Sequence, residues 1–84
     1  MNIYCFVCRS VTAAQRAVSI LKHSGIPGGI VKMPQEHLSS GCGYAVKITS
    51  RSAMKASEIL ISSGLEIIAV YMGSDMSELY EVKL

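Results

Sequence analysis

The chain has 84 residues, 50% of them hydrophobic and 6% aromatic, and its formal net charge is +2. A chain this short is one domain, residues 1–84, burying only a little over ~60% of its unfolded surface, so pairing with another copy would add stability. The composition excludes a disordered tail, and basic residues that are scattered rather than clustered exclude a nucleic-acid partner.

The longest purely apolar run, Ile67 to Met72, falls far short of the ~20 residues a bilayer span needs, so no membrane is expected. The start, Met1-Asn2-Ile3-Tyr4-Cys5-Phe6-Val7-Cys8, lacks a positive n-region and a small-residue cleavage site and reads as a strand. Three cysteines are an odd number, which favours reduced thiols in the cytoplasm over a disulfide framework.

Ile3 to Cys8 is β-rich and bounded by Arg9-Ser10, giving a first strand. Ser10 or Thr12 then caps a helix in which Ala13, Ala14, Ala17, Val18, Ile20 and Leu21 recur at helical spacing, and Gly25 stops it. Ile30 to Met33 forms a second strand after Pro27-Gly28-Gly29. The polar loop that follows, Met33-Pro34-Gln35-Glu36-His37-Leu38-Ser39-Ser40-Gly41-Cys42-Gly43, ends in a cysteine held between two glycines. Tyr44 to Ile48 then alternates as a third strand, with Lys47 on the face opposite Tyr44, Val46 and Ile48. A second helix runs from about Ser52 to Ser63, Gly64 ends it, and Glu66 to Met72 is a strand. In the tail, Gly73 to Leu84, Ser74 or Asp75 suits a helical turn, while Tyr80, Val82 and Leu84 alternate with Glu81 and Lys83 as in an edge strand; a subunit contact is a further use.

The two halves, about 1–39 and 40–78, are similar. Shifted by 39 positions, Val7 falls on Val46, Ala14 on Ala53, Ala17 on Ala56, Ile20 on Ile59, Leu21 on Leu60, Ser24 on Ser63 and Gly25 on Gly64. Two β-α-β units give β-α-β-β-α-β, an α+β fold of the ferredoxin-like (split β-α-β) type, with two helices on one face of a four-stranded antiparallel sheet. Ile20, Leu21, Ile59 and Leu60 are expected between helices and sheet.

This topology brings the end of the first strand, the start of the first helix and the polar loop to one edge of the sheet. Gly41 and Gly43 strip side chains from both neighbours of Cys42, making it the candidate reactive thiol; the plain alternative is that they serve a turn and a bulge. The unpaired N–H groups and dipole of the helix start favour a thiolate there. Two-fold pairing of the first and third strands puts Cys42 opposite Val7 or Arg9, and Arg9 is the candidate thiolate stabiliser. His37 is a candidate base or anion donor in the loop, whereas His23 closes the first helix at the far end.

Cys5 and Cys8 have Cys-x-x-Cys spacing, but residues i and i+3 of a strand point to opposite faces and cannot grip one ion, so no metal or cofactor is assigned. Cys5 is expected in the helix-facing core with Ile3 and Val7. Cys8 is expected on the open face, as a candidate resolving thiol, with Tyr4 and Phe6 there as a homodimer surface.

The initial strand, the alanine-rich helix ending in Gly25, and the Pro34 loop leading through Leu38-Ser39 into Cys42-Gly43 and a short apolar strand resemble the selenium/sulfur carrier-like family of small bacterial domains. A basic residue is expected after the proline, where this chain has Gln35. The resemblance implies a carrier, rather than a turnover enzyme, that holds sulfur or selenium on Cys42 as a persulfide or selenosulfide and exchanges it with donor and acceptor proteins. The alternatives are an amino-acid-sensing-like regulatory module and a structural oligomerisation domain, neither with chemistry at the thiol.

Overall fold

The computed structural model describes residues 2–33 and 43–83. The strands are β1 (Ile3–Cys8), β2 (Gly29–Lys32), β3 (Tyr44–Thr49), β4 (Ile67–Gly73) and β5 (Leu79–Val82). The helices are α1 (Val11–His23) and α2 (Ala53–Ser62), the latter preceded by a 3-10 turn over Ser50–Ser52. The fold is α+β, and every strand pairing in its five-stranded sheet, ordered β2-β3-β1-β4-β5, is antiparallel.

Four strands were expected; the tail supplies the fifth, because Leu79–Val82 pairs along β4. Both local signals in the tail are used. The Asp75 carboxylate accepts the Ser77 N–H at 2.8 Å and the Ser77 hydroxyl, turning the chain so that β5 can return. Those bonds, the hydroxyl first, hold the Asp75 carboxyl below its ordinary pKa. Gly73 makes the close approach possible, since a Cβ there would stand 1.9 Å from the Glu78 carbonyl oxygen.

Ser10 is the cap of α1, its Oγ accepting the Ala13 N–H at 3.1 Å. At the other end Gly25 adopts φ +80°, and the Ile26 N–H bonds back to the Leu21 carbonyl at 2.9 Å. Both helices lie over one face of the sheet. Leu21 and Leu60 are fully buried there with Phe6, Val46 and the small residues Ala14, Ala17, Ala53 and Ala56, which let the helix backbones come close. Each leucine contributes about 1.5–3 kcal/mol by leaving water. Ile20 and Ile59 are half-buried at the margin of this core.

The expected faces of β1 are inverted. Tyr4, Phe6 and Cys8 belong to the helix-covered core, so Tyr4 and Phe6 form no open dimer surface and Cys8 is not on the open face. Cys5 and Val7 sit instead on the far face with Met33, Ala45, Tyr71 and Leu79. The reason is that β1 is central and apolar on both sides, so its own alternation carries no facing information. Lys47, exposed opposite Val46 and Ile48, has the facing expected of it.

Candidate functional site

Gly41, Cys42 and His37 lie outside the described residues, but both ends of their segment are fixed. The Met33 N–H donates to the Gly43 carbonyl at 2.6 Å, extending the β2–β3 pairing by one step beyond Lys32 and Tyr44. Gly43 has φ +82°, a left-handed conformation that a side chain would disfavour, so this glycine has a backbone reason to follow Cys42.

Val7 lies across from Ala45, and continuing that register sets Gly43 level with Arg9, one residue before the helix cap Ser10. Residues 34–42 therefore leave and rejoin the sheet at the edge where α1 begins. That end of α1 is electrostatically positive and has no acidic residue in its first turn, while Lys22 and His23 complement the negative end. His23 is anchored there, Nδ1 lying 2.8 Å from the Ser19 carbonyl oxygen.

Arg9 occupies this edge and pairs with Glu66, Nη1 to Oε1 at 3.0 Å. With the two side chains 74% and 61% exposed, the pair is worth only about 0–1 kcal/mol and exchanges partners easily. Its guanidinium reaches Glu66, the residue that precedes β4.

The other two thiols are inside the protein. Cys8 is 1% exposed in the helix-side core, its Sγ 3.5 Å from the Phe6 carbonyl oxygen. Cys5 is fully buried on the opposite face, with its Sγ 3.7 Å from the Met76 Sδ. Burial raises the Cys5 thiol pKa, and the positive charge of Lys47, which faces it from β3, opposes that rise in part. The two sulfurs thus point into separate cores, and the Cys-x-x-Cys spacing brings nothing together.

The row Lys47–Cys5–Tyr71 across three strands, with Met76 over it, was missed by sequence reasoning. The signal existed. Lys47 fixes the facing of β3, and antiparallel pairing of Cys5 with Lys47 carries that facing to β1.

Residues 3–72 match the model of the family described as "Putative Se/S carrier protein-like". No curated protein and no solved structure matches the chain.

Proposed function

The chain belongs to this Se/S carrier protein-like family, and from that premise we propose that it carries sulfur or selenium on the thiol of Cys42. The strand order β2-β3-β1-β4 with two helices on one side is read as the ferredoxin-like arrangement, β5 being an added edge strand. A reducing cytoplasm is its natural setting, since the exchange needs a thiolate. No helix among the described residues is long and apolar enough to cross a membrane.

The observation that carries the reading is the burial of Cys5 and Cys8, at 0% and 1% exposure. A partner protein cannot reach either without opening the fold, which leaves Cys42 to do the exchange. Met33 and Gly43, which flank the Cys42 segment, lie at the end of the sheet where α1 begins, and the positive end of that helix favours a thiolate over a thiol with the ordinary pKa of ~8.5. Arg9 adds a second positive charge when it exchanges Glu66 for the loop, and His37 is the loop's own proton carrier.

Loading is an exchange without net oxidation. The Cys42 thiolate attacks the outer sulfur of a donor persulfide; a new S–S bond forms on Cys42 as the donor's S–S bond breaks and the donor leaves as a thiolate. In unloading, an acceptor thiolate attacks the outer sulfur and Cys42 departs as thiolate, ready for another cycle. A selenium cargo follows the same bookkeeping with selenium as the outer atom.

The test is intact-protein mass after incubation with a persulfide or selenosulfide donor. Wild type is expected to gain one chalcogen atom and to lose it to a small thiol, and Cys42→Ala to gain none. Equal uptake by Cys42→Ala would sink the proposal. No uptake by wild type would favour the interaction-domain alternative.

A further inference from the structure

The sheet has two edges, β2 and β5. Among the described residues β5 pairs on one side only, with β4, so its outer row of N–H and C=O groups is a template for another strand. The helix cover ends short of this edge. Tyr80 and Val82 lie in register with Met72 and Val70, on the helix side of the sheet, and Tyr80 is 54% exposed. One strand further in, Val70, the partner of Val82, lines an apolar cavity of about 170 Å³ with Phe6, Ile67 and Ile61 of α2, the last 65% exposed.

The geometry points to a second copy of this chain as the occupant, docked β5 to β5 in antiparallel fashion about a two-fold axis through Val82. The choice of partner rests on charge. If both copies keep their helices on one side of a continuous sheet, residues facing across the new pair share parity, so the axis passes through a residue position rather than between two. An axis through Glu81 would set Glu81 against its own copy, like charge against like. An axis through Val82 sets Glu81 against Lys83 of the second copy, twice by symmetry, and brings the two Val82 side chains together beside Tyr80.

Glu81 and Lys83 are exposed and have no ion pair among the described residues, so both charges are available. The other edge has no such complementarity, because Lys32 is the only charged residue of β2. The joined sheet would have ten strands, with α2 of each copy flanking the central Tyr80 and Val82 cluster. This surface lies far from the Cys42 segment in strand order, so dimerisation and cargo transfer are separable.

Sedimentation equilibrium on the full chain tests the arrangement. Wild type is expected to dimerise. Glu81→Lys or Lys83→Glu alone should weaken the dimer about tenfold or more, each leaving two like-charge pairs. The double variant Glu81→Lys/Lys83→Glu restores opposite charges and should return to within about threefold of wild type. Circular dichroism checks that each variant is folded, and Cys42→Ala should dimerise as wild type does, keeping this test independent of the carrier reading. A wild-type monomer at millimolar concentration, a dimer indifferent to either reversal, or a double variant weaker than the singles would overturn the inference.

Discussion

The α1 and α2 halves are alike where the helices pack and leave, and unlike where they begin. Ala14, Ala17 and Leu21 are the buried residues of α1, and Ala53, Ala56 and Leu60 are those of α2, each displaced by the same 39 positions. The exits also agree: Gly25 and Gly64 have φ +80° and +82°, and Ile26 and Leu65 return hydrogen bonds to Leu21 and Leu60. The starts diverge, since Ser10 caps α1 with its side chain whereas α2 follows a 3-10 turn and Ser52 makes no side-chain cap. The repeat is therefore a packing unit, and the sites of divergence are the two helix starts, which antiparallel β1 and β3 place at opposite edges of the sheet.

The largest effects should fall equally on both halves. Leu21→Ala and Leu60→Ala each empty a fully buried site among the same alanine neighbours, at a cost of about 2–5 kcal/mol. Against a total of about 5–15 kcal/mol for a domain, either variant should show a clearly lowered denaturation midpoint in urea. A difference between them larger than about 1 kcal/mol would show that the sequence repeat does not extend to the energetics.

Next in size is the exit. Gly25→Ala and Gly64→Ala meet no atom within 4 Å of the added Cβ, so their cost is that of the left-handed backbone alone, about 1 kcal/mol in each case. Thermal unfolding of both variants should give matching losses. If one is neutral, its helix ends differently when the glycine is removed and the exits are not equivalent.

The helices and their stops were legible because helical spacing, a capping serine and a stop glycine are local signals. Ser10, Ala14, Leu21 and Gly25 are each explained within a few residues of chain. Facing in β1 was not legible in the same way. Ile3 to Cys8 is apolar throughout, and only pairing to β3, with Phe6 across from Val46 and Cys5 across from Lys47, decides which side meets the helices. The expected equivalence of Val7 and Val46 fails for the same reason: an offset that holds for the helices puts the two valines on opposite faces, Val46 under the helices and Val7 away from them. Of the candidate site, Gly43 has the left-handed backbone that suits the plain alternative of a turn or bulge, and the expected pairing of Val7 with Cys42 fails because Val7 pairs with Ala45, while Cys42, Gly41 and His37 lie outside the described residues. The partnership of Arg9 with Glu66 is long-range and left no local mark.

The starts themselves should differ by about 1 kcal/mol. Ser10→Ala removes a cap bond of 3.1 Å and should cost about 0.5–2 kcal/mol, whereas Ser52→Ala removes no cap bond and should lie within ~0.5 kcal/mol of wild type. Chemical denaturation resolves this gap. Equal costs would mean that α2 is capped through its 3-10 turn after all.

The smallest effect is nil at neutral pH and emerges only in alkali, where the inverted facing of β1 can be tested. Cys5 is buried away from the helices and its thiol pKa is raised, burial outweighing the opposing charge of Lys47. A raised folded pKa means that, above the ordinary thiol value, the unfolded chain loses this proton while the folded chain keeps it. The unfolded state then binds fewer protons, so stability is unaffected below the unfolded pKa and falls as pH climbs through the folded one. The slope from a single thiol is at most about 1.4 kcal/mol per pH unit. Cys5→Ala lacks this proton, so its stability, measured by urea unfolding, should fall less steeply than that of wild type above the ordinary thiol pKa. Comparing slopes rather than absolute stabilities removes the cost of the smaller side chain. Identical slopes would mean that Cys5 ionises as readily in the folded chain as in the unfolded one and is not enclosed against Met76.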